Sequence, residues 1–174
     1  MNKIVTSDEI TAILPEIVAI RRDLHTYPEL SFQEFETSEK IVKFLSQLNI
    51  DNQVVGKTGV VATIFNSSAF PTIALRAEMD ALPIQDDKTC DYASKYPGVM
   101  HACGHDGHVA ILMATAEILA GMKKDLKGTV KFIFQPAEEG APVGEEGGAA
   151  LMIKEGVLEQ PKVDVIFGLH MNAL

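Results

Sequence analysis

The sequence of 174 residues predicts an α/β fold in which helices cover the faces of a sheet. Short β-branched runs bounded by Gly, Asn, Ser and Pro alternate with longer segments of helical periodicity. Some of these runs are apolar throughout, which is typical of strands buried on both faces. No internal repeat or low-complexity linker divides the chain, so a single domain is expected.

Two helices are predicted before the first strand. The segment 7–25 starts at the capping pair Ser7-Asp8 and ends before Tyr27-Pro28. Pro15 lies within it and predicts a kink or a late helix start. A second helix is expected over about residues 33–48. The predicted apolar stripes comprise Ile10, Ile13, Leu14, Ile17, Val18, Ile20 and Leu24 in the first helix, and Phe35, Ile41, Phe44, Leu45 and Leu48 in the second.

The rest of the chain alternates between strand and helix. Residues 107–121 are rich in Ala, Ile, Leu and Met, and they predict a buried helix. Another helix is expected at about residues 147–155, after a Gly-rich loop. Strands are predicted at 54–55, 60–65, 72–75, 129–134 and 163–167.

Composition and charge exclude several classes of function. The chain has 24 acidic against 15 basic residues, a net charge of −9, and no basic stripe, which argues against a nucleic-acid partner. No apolar run reaches the length of a membrane span, and the first residues lack the apolar core of a signal peptide. We therefore expect a cytoplasmic protein without a membrane partner. Cys90 and Cys103 are then expected to be reduced thiols.

Chemically versatile side chains concentrate where predicted strands end and where the buried helix begins. Open α/β sheets usually place their sites at such positions. Four of the five histidines fall within these clusters. The clusters are residues 76–83, 100–108, 135–140 and 168–170.

The cluster at 100–108 has the composition of a divalent-metal site. The thiolate of Cys103 and the imidazole of His105 are ligands that borderline-soft ions favour. Taken singly, each has an ordinary alternative, because a buried cysteine is usually a small hydrophobe and a loop histidine is usually only hydrogen-bonded. Three histidines and a cysteine beside glycines favour metal binding. Asp106 is expected to cap the helix that follows and to orient an imidazole.

Glu138 and Glu139 follow an apolar strand, where two adjacent carboxylates repel each other if they are buried without compensation. A solvated turn is the ordinary alternative for such a pair. Near a metal, one carboxylate binds the cation and its neighbour takes the proton from metal-bound water. The second pair, Glu145 and Glu146, lies in a Gly-rich loop and is expected to be solvated.

Other chemistries receive less support from the sequence. No Gly-x-Ser-x-Gly elbow is present, and the Gly-rich stretch 140–148 lacks the Gly-Lys-Ser/Thr ending of a phosphate loop. A cysteine nucleophile at Cys103, activated by nearby imidazoles, remains an alternative. It leaves the pair Glu138-Glu139 and His170 without a role.

Together these segments resemble the M20 metallopeptidases, and within them the amidohydrolases of N-acyl amino acids, hippurate and auxin conjugates. The resemblance implies a zinc-peptidase-like α/β fold, a mixed sheet flanked by helices, with a binuclear divalent-metal site. It covers nearly the whole chain, and the segments occur in the family's order. They are RRDLHTYPEL at 21–30, LRAEMDALP at 75–83, HACGHDGH at 101–108, FQPAEEG at 134–140 and GLH at 168–170.

The resemblance also implies roles for individual residues. Glu138 matches the general base, and Asp80 matches the acidic residue that steers a metal ligand. His101 and His108 lie in matching segments and are expected to have supporting roles only. Glu78 stands where this branch more often has Asp. The implied metal ligands are Cys103, His105, Glu139 and His170.

Members of this family are longer than this chain. The resemblance therefore implies that residues 1–174 are the N-terminal part of a catalytic domain. A smaller domain for dimerisation and substrate covering, and a C-terminal catalytic part with one more histidine ligand, would follow. We expect a homodimeric enzyme that cleaves the amide bond of a small N-acyl amino acid. The expected cofactor is two divalent ions, with Zn²⁺ or Mn²⁺ favoured over Co²⁺ or Ni²⁺. The alternative is a truncated, catalytically incompetent metal-binding remnant.

Overall fold

The computed structural model of the chain describes residues 5–171. Its helices and strands alternate as predicted, which confirms an α/β fold. The last strand is followed by the short segment that carries His170. The elements are α1 Ser7–Thr26, α2 Phe35–Gln47, β1 Asp51–Val55, β2 Gly59–Ile64, β3 Thr72–Glu78, α3 His105–Gly121, a 3₁₀ turn Lys123–Asp125, β4 Thr129–Gln135, α4 Gly148–Lys154 and β5 Val165–Gly168.

The five strands form one mixed sheet in the order β1-β2-β4-β3-β5. β1 pairs antiparallel with β2, and β2 pairs antiparallel with β4. β3 pairs parallel with both β4 and β5, with Leu75 opposite Phe132 on one side and Phe167 on the other. The carboxyl ends of β3, β4 and β5 therefore meet at one edge of the sheet, which is where the predicted polar clusters follow their strands.

Helices cover both faces of the sheet, as predicted. On one face, α1, α2 and α3 pack over the larger core, and on the other face α4 packs over a smaller one. Fully buried residues of the larger core include Ile41, Leu45, Val60, Phe132 and Phe134. The smaller core contains Val55, Val61, Ala74, Ile133, Met152 and Val157.

A buried lysine ties the segment after α4 to the sheet. Lys131 lies within the central strand β4 and is only 1% exposed. Its Nζ donates to the carbonyl oxygens of Val157, Gln160 and Pro161 at 2.6, 3.2 and 3.0 Å. Because burial disfavours the charged form, the pKa of Lys131 is lowered. These three bonds anchor the chain as it passes from α4 to β5.

The start of α1 differs from the prediction. Thr6, not Ser7, caps the helix, and its side chain forms a capping box with Glu9. The helix runs through Pro15, so the late start is wrong. The capping box secures the first turn ahead of the proline, which explains the early start.

Several predicted core residues are exposed instead. In α1, Ile10 and Leu14 are 50% and 52% exposed, because the buried residues of this helix lie only from Ile17 onward. Phe35, at the first position of α2, is 65% exposed. Strand β5 lies at the edge of the sheet, and its apolar side chains are about half exposed.

Among residues 5–171, no helix is long and apolar enough to cross a membrane.

Candidate metal centre

The predicted ligands and the predicted base lie together at the carboxyl edge of the parallel strands. Asp80 follows β3, the pair Glu138 and Glu139 follows β4, and His170 follows β5. His105 is the first residue of α3. The topology thus brings four separate segments of the chain to one place.

The turn into α3 fixes the position of His105. Gly104 precedes the helix with φ of +88°, a conformation that L side chains rarely adopt. The helix consequently begins at His105, two residues before the predicted start. The Nδ1 atom of His105 lies 2.9 Å from the backbone oxygen of Asp80 and 3.3 Å from its Oδ1. These acceptors place the ring proton on Nδ1 and leave the lone pair on Nε2.

The other nitrogen of His105 faces the two glutamates. Its Nε2 lies 3.8 Å from Glu138 Oε2 and 3.9 Å from Glu139 Oε1. His105 is fully buried, and neither its Nε2 nor Glu139 Oε1 has a hydrogen-bond partner within residues 5–171. Burial alone would lower the pKa of His105, but Asp80 and then Glu78 raise it above its usual value. The site therefore favours positive charge beside these atoms.

Cys103 and His170 complete the group. The Sγ of Cys103 lies 3.3 Å from Nε2 of His170. Each of Cys103, His105 and His170 offers a ligand atom within 4.8 Å of the others, and His105 makes a second such group with Glu138 and Glu139. His105 is thus shared by both groups. With its Nδ1 engaged by Asp80, His105 has one lone pair for a cation, so the two groups surround one shared ligand atom.

Glu138 and Glu139 are held by hydrogen bonds at both ends of their loop. Ala137, at φ of +46°, donates its N–H to Oε1 of the buried Glu34 at 2.9 Å. The N–H of Glu139 donates to Asp80 Oδ2, also at 2.9 Å. The side chain of Glu138 is 41% exposed and that of Glu139 is 19% exposed. The pair is neither a fully solvated turn nor fully buried, since one carboxylate lies deeper than the other.

Asp80 contacts both halves of the site. Besides His105 and the N–H of Glu139, its carboxylate accepts a hydrogen bond from Ser31 Oγ at 2.9 Å. Burial by itself would raise the pKa of Asp80, but these hydrogen bonds lower it below its usual value. Asp80 is therefore held as a carboxylate that orients His105 and fixes the backbone of the Glu138–Glu139 loop.

The donor set fits a divalent cation. Thiolate, imidazole and carboxylate together are the ligands of borderline-soft ions such as Zn²⁺. Glu78, His105 and His108 also lie close together. In that group, His108 uses Nδ1 on Glu78 Oε2 at 2.9 Å and accepts the N–H of Met171 on Nε2 at 3.0 Å. With both ring nitrogens engaged, His108 is left with the supporting role that was predicted.

The surroundings of Cys103 disfavour the cysteine-nucleophile alternative. Burial, followed by the charges of Glu139 and Glu138, raises the pKa of the Cys103 thiol to about 11. A cysteine nucleophile requires the opposite shift. Cys90 and Cys103 are both free thiols.

The expectation that Asp106 caps α3 is wrong. No side chain within residues 5–171 caps this helix, and the Asp106 carboxylate points instead to His25 Nδ1 and Arg21 Nε, each at 2.8 Å. Asp106 does orient an imidazole, but it is that of His25 on α1. The long separation in sequence between Asp106 and its partners explains why the sequence favoured the local cap.

Glu145 and Glu146 are exposed, as predicted.

The comparisons with known proteins agree with this arrangement. Residues 74–173 match the profile of peptidase family M20/M25/M40. The chain belongs to the M20 family. The matched range contains the predicted site residues, which are Asp80, Cys103, His105, Glu138, Glu139 and His170. It excludes α1, which carries Arg21 and His25, and the segment before α2, which carries Ser31 and Glu34.

Two of the similar proteins are named as hydrolytic enzymes. The chain is 43% identical over 171 residues to the N-acyl-L-amino acid amidohydrolase of Geobacillus stearothermophilus, covering 95% of this chain and 45% of that protein. It is 49% identical over 156 residues to the N-acetylcysteine deacetylase of Bacillus subtilis, covering 88% of this chain and 39% of that protein. The chain thus spans less than half the length of each.

A solved M20 structure shares the fold. The YXEP protein of Bacillus subtilis, described as a dinuclear metal binding peptidase, superposes with a TM-score of 0.85 at 47% identity. The match covers 93% of this chain and 44% of that one. The predicted M20 fold, with a mixed sheet flanked by helices, is confirmed.

Neither Glu34 nor Ser31 stands out in the sequence as a candidate site residue. Glu34 is fully buried and also accepts from Thr58 Oγ1 at 2.6 Å, so it links three separated segments. In the sequence it is one glutamate in a polar stretch before a helix. No pattern in a single sequence distinguishes it from an exposed residue.

Proposed function

We propose that this chain carries the metal site and general base of a metal-dependent amidohydrolase that cleaves N-acyl amino acids. The observation that carries the proposal is the buried Nε2 of His105, which has no hydrogen-bond partner in the described part of the chain, faces two carboxylates and lies in one cluster with Cys103 and His170. Buried polar atoms without partners are rare in folded proteins, and a cation between them would supply the missing partner.

In this proposal the metal ligands are Cys103, His105, Glu139 and His170. A divalent ion held by these residues would supply Lewis-acid chemistry, polarising the scissile carbonyl and lowering the pKa of water. Asp80 keeps His105 in the tautomer whose Nε2 is free to bind a cation. The donor set admits Zn²⁺ or Mn²⁺ first, and Co²⁺ or Ni²⁺ as well.

Glu138 is proposed as the general base. Its side chain is more exposed than that of Glu139, so it reaches the space that a substrate would enter. Glu139 lies deeper, and its Oε1 has no hydrogen-bond partner among the residues that the structure describes, which suits a metal ligand. Glu138 takes the proton from the attacking water and delivers it to the nitrogen of the departing amino acid. A step of this kind contributes typically about 10²–10⁴-fold to the rate.

The proposed substrate class draws on the relatives. Two of them are named for N-acyl-L-amino acids and for N-acetylcysteine. We therefore propose an N-acyl amino acid as the substrate class of this protein, without assigning the acyl group. We further propose that residues 1–174 form the N-terminal part of the catalytic domain of a homodimeric enzyme. The cytoplasmic location stays a prediction.

One observation favours a second candidate, metal binding without turnover. Val165, Ile166 and Phe167 of the edge strand β5 are 45%, 50% and 56% exposed, next to the segment that carries His170. A site whose neighbouring strand is open to solvent excludes water poorly, and catalysis depends on that exclusion.

Glu138→Gln tests the proposed base. Zinc content and release of the free amino acid from N-acetyl amino acids are measured for the wild type, for Glu138→Gln and for the exposed control Glu146→Gln. We expect Glu138→Gln to keep its zinc and to lose activity by about 10²–10⁴-fold, with the control unaffected. Near-normal turnover in Glu138→Gln would remove the general-base role. A wild type that binds zinc and releases no amino acid would favour the second candidate.

A further inference from the structure

Strained backbone concentrates beside the loop that carries Glu138 and Glu139. Within residues 5–171, four non-glycine residues have a positive φ angle: Phe32, Asn49, Lys57 and Ala137, at 60°, 55°, 72° and 46°. Asn adopts this left-handed conformation more readily than the other three residue types. For those three it is costly, and such strain persists only where surrounding contacts hold it, most often at functional sites.

Glu34 joins the three strained segments. It follows Phe32 by two residues, and its side chain is fully buried. Its Oε2 accepts from the hydroxyl of Thr58, the neighbour of Lys57, at 2.6 Å. Its Oε1 accepts from the N–H of Ala137 at 2.9 Å. The Nζ of Lys57 also lies 4.5 Å from the centre of the Phe32 ring, so the three segments meet at one place.

The chain enters the loop through a tightly packed passage. Ala137 is 2% exposed, and its carbonyl oxygen accepts from the N–H of Gly148 at 3.2 Å. Pro136, just before it, lies between two glycines. A Cβ added to Gly59 would lie 2.7 Å from Cδ of Pro136, and one added to Gly148 would lie 1.7 Å from its backbone oxygen. Contacts therefore fix Pro136 and the carbonyl of Ala137, and Glu34 fixes the N–H of Ala137.

We propose that Glu34 is a positioning residue for the general base Glu138 and the ligand Glu139. The inference rests on the proposed function, since it takes both glutamates in those roles. Glu34 acts through Ala137, because holding its N–H keeps the left-handed turn that directs both carboxylates toward His105. Their oxygens lie 3.8 and 3.9 Å from His105 Nε2. Without the acceptor, Ala137 can relax to an ordinary φ, and a misplacement of about 1 Å can cost about 100-fold in rate.

The first test follows the loop itself and needs no turnover. Amide hydrogen exchange is measured by NMR on the protein as purified, at Glu139, whose N–H donates to Asp80 Oδ2, and at Leu112 inside α3. Glu34→Ala should raise exchange at Glu139 by about tenfold or more beyond any change at Leu112. The control Leu45→Ala removes a fully buried side chain of the larger core. It should raise exchange at Glu139 no more than at Leu112, because it lowers global stability only.

The second test separates positioning from stability by kinetics on zinc-loaded protein. Glu34→Ala should lower kcat for release of the free amino acid by about 10–100-fold and leave KM within about threefold. Glu34→Gln keeps an acceptor for the N–H of Ala137 and a donor to the Thr58 hydroxyl, so it should restore kcat to within about threefold of the wild type. The folded fraction of Leu45→Ala should have the wild-type kcat.

A further variant covers the case in which Glu34→Ala fails to fold. Glu34→Asp keeps the carboxylate and withdraws it by one methylene, so that it no longer reaches both Thr58 and Ala137. It should change exchange at Glu139 and kcat in the same directions, each by at least about threefold.

Two outcomes would overturn the inference. One is exchange at Glu139 that only follows exchange at Leu112 in folded Glu34→Ala or Glu34→Asp. The other is equal kcat in Glu34→Ala and Glu34→Gln. The proposed function fails separately, through near-normal turnover in Glu138→Gln or a wild type that releases no amino acid. In that case exchange at Glu139 still decides whether Glu34 positions the loop.

Discussion

Replacement of Glu34 by glutamine should make the protein more stable at neutral pH and change its stability little at acidic pH. Glu34 is fully buried, and its two oxygens accept from Thr58 Oγ1 at 2.6 Å and from the N–H of Ala137 at 2.9 Å. Burial raises its pKa above 4.5, although both hydrogen bonds act in the other direction. A glutamine can keep both contacts, since its oxygen accepts from Ala137 and its NH₂ donates to the Thr58 hydroxyl, which also accepts.

The sign follows from proton linkage. Below pH 4.5, Glu34 is protonated in both the folded and the unfolded state, and glutamine closely mimics the neutral acid. Between pH 4.5 and the raised folded pKa, the folded state keeps its proton while the unfolded state has lost it. The wild type therefore loses stability as the pH rises through this window. Glutamine does not titrate, so the advantage of the variant grows by up to about 1.4 kcal/mol per pH unit there and then levels off.

Urea unfolding followed by circular dichroism at pH 4.5, 6 and 8 measures this difference. Glu39→Gln, at an exposed position of α2, the helix that follows Glu34, is the matched control and should show no such trend. Glu34→Ala should instead destabilise by about 1–3 kcal/mol at every pH, because the buried N–H of Ala137 loses its acceptor. The reasoning would be refuted if the difference in the free energy of unfolding between the wild type and Glu34→Gln were constant with pH, or if its change with pH had the opposite sign.

Two further predictions concern the metal centre and the packing of α4. Asp80→Asn should weaken zinc binding by about 10–100-fold, measured by competition with a chelator, because His105 loses the carboxylate that orients it; unchanged affinity would contradict this. Gly148→Ala should destabilise the fold by about 1–3 kcal/mol in thermal melts, since the added Cβ would lie 1.7 Å from the backbone oxygen of Pro136. Gly121→Ala, where an added Cβ meets no atom within 4 Å, should be neutral or stabilising, and equal melting temperatures for the two variants would show that the close approach carries no cost.

Periodicity predicted the elements of this fold because each signal is local. The predicted helix at 107–121 and the observed α3 at His105–Gly121 differ only at the start. That difference arises at Gly104, whose left-handed conformation is set by the turn and leaves no mark on the apolar pattern. The exposure of Ile10 and Phe35 has a different cause. Their spacing is helical, but burial depends on which part of each helix the sheet supports.

The residues of the candidate site also differ in whether a local sequence signal marks them. Cys103 and His105 are neighbours in sequence, so their residue types alone predicted a metal site. His170 and Asp80 were assigned only through the family resemblance, because their local sequence carries no such signal; the sheet topology is what brings the ends of β5 and β3 together. The pairing of Asp106 with Arg21 joins residues far apart in the chain, and a single sequence carries no signal for it.

Cys103 is proposed as a ligand in a formed metal site. Zinc content per chain, measured on gel-filtered protein for the wild type, Cys103→Ser and the control Cys90→Ser, tests this role. We predict bound zinc in the wild type and in Cys90→Ser, and a loss of zinc in folded Cys103→Ser. Full zinc retention in Cys103→Ser, or a folded wild type that binds no zinc, would show that Cys103 is not a metal ligand.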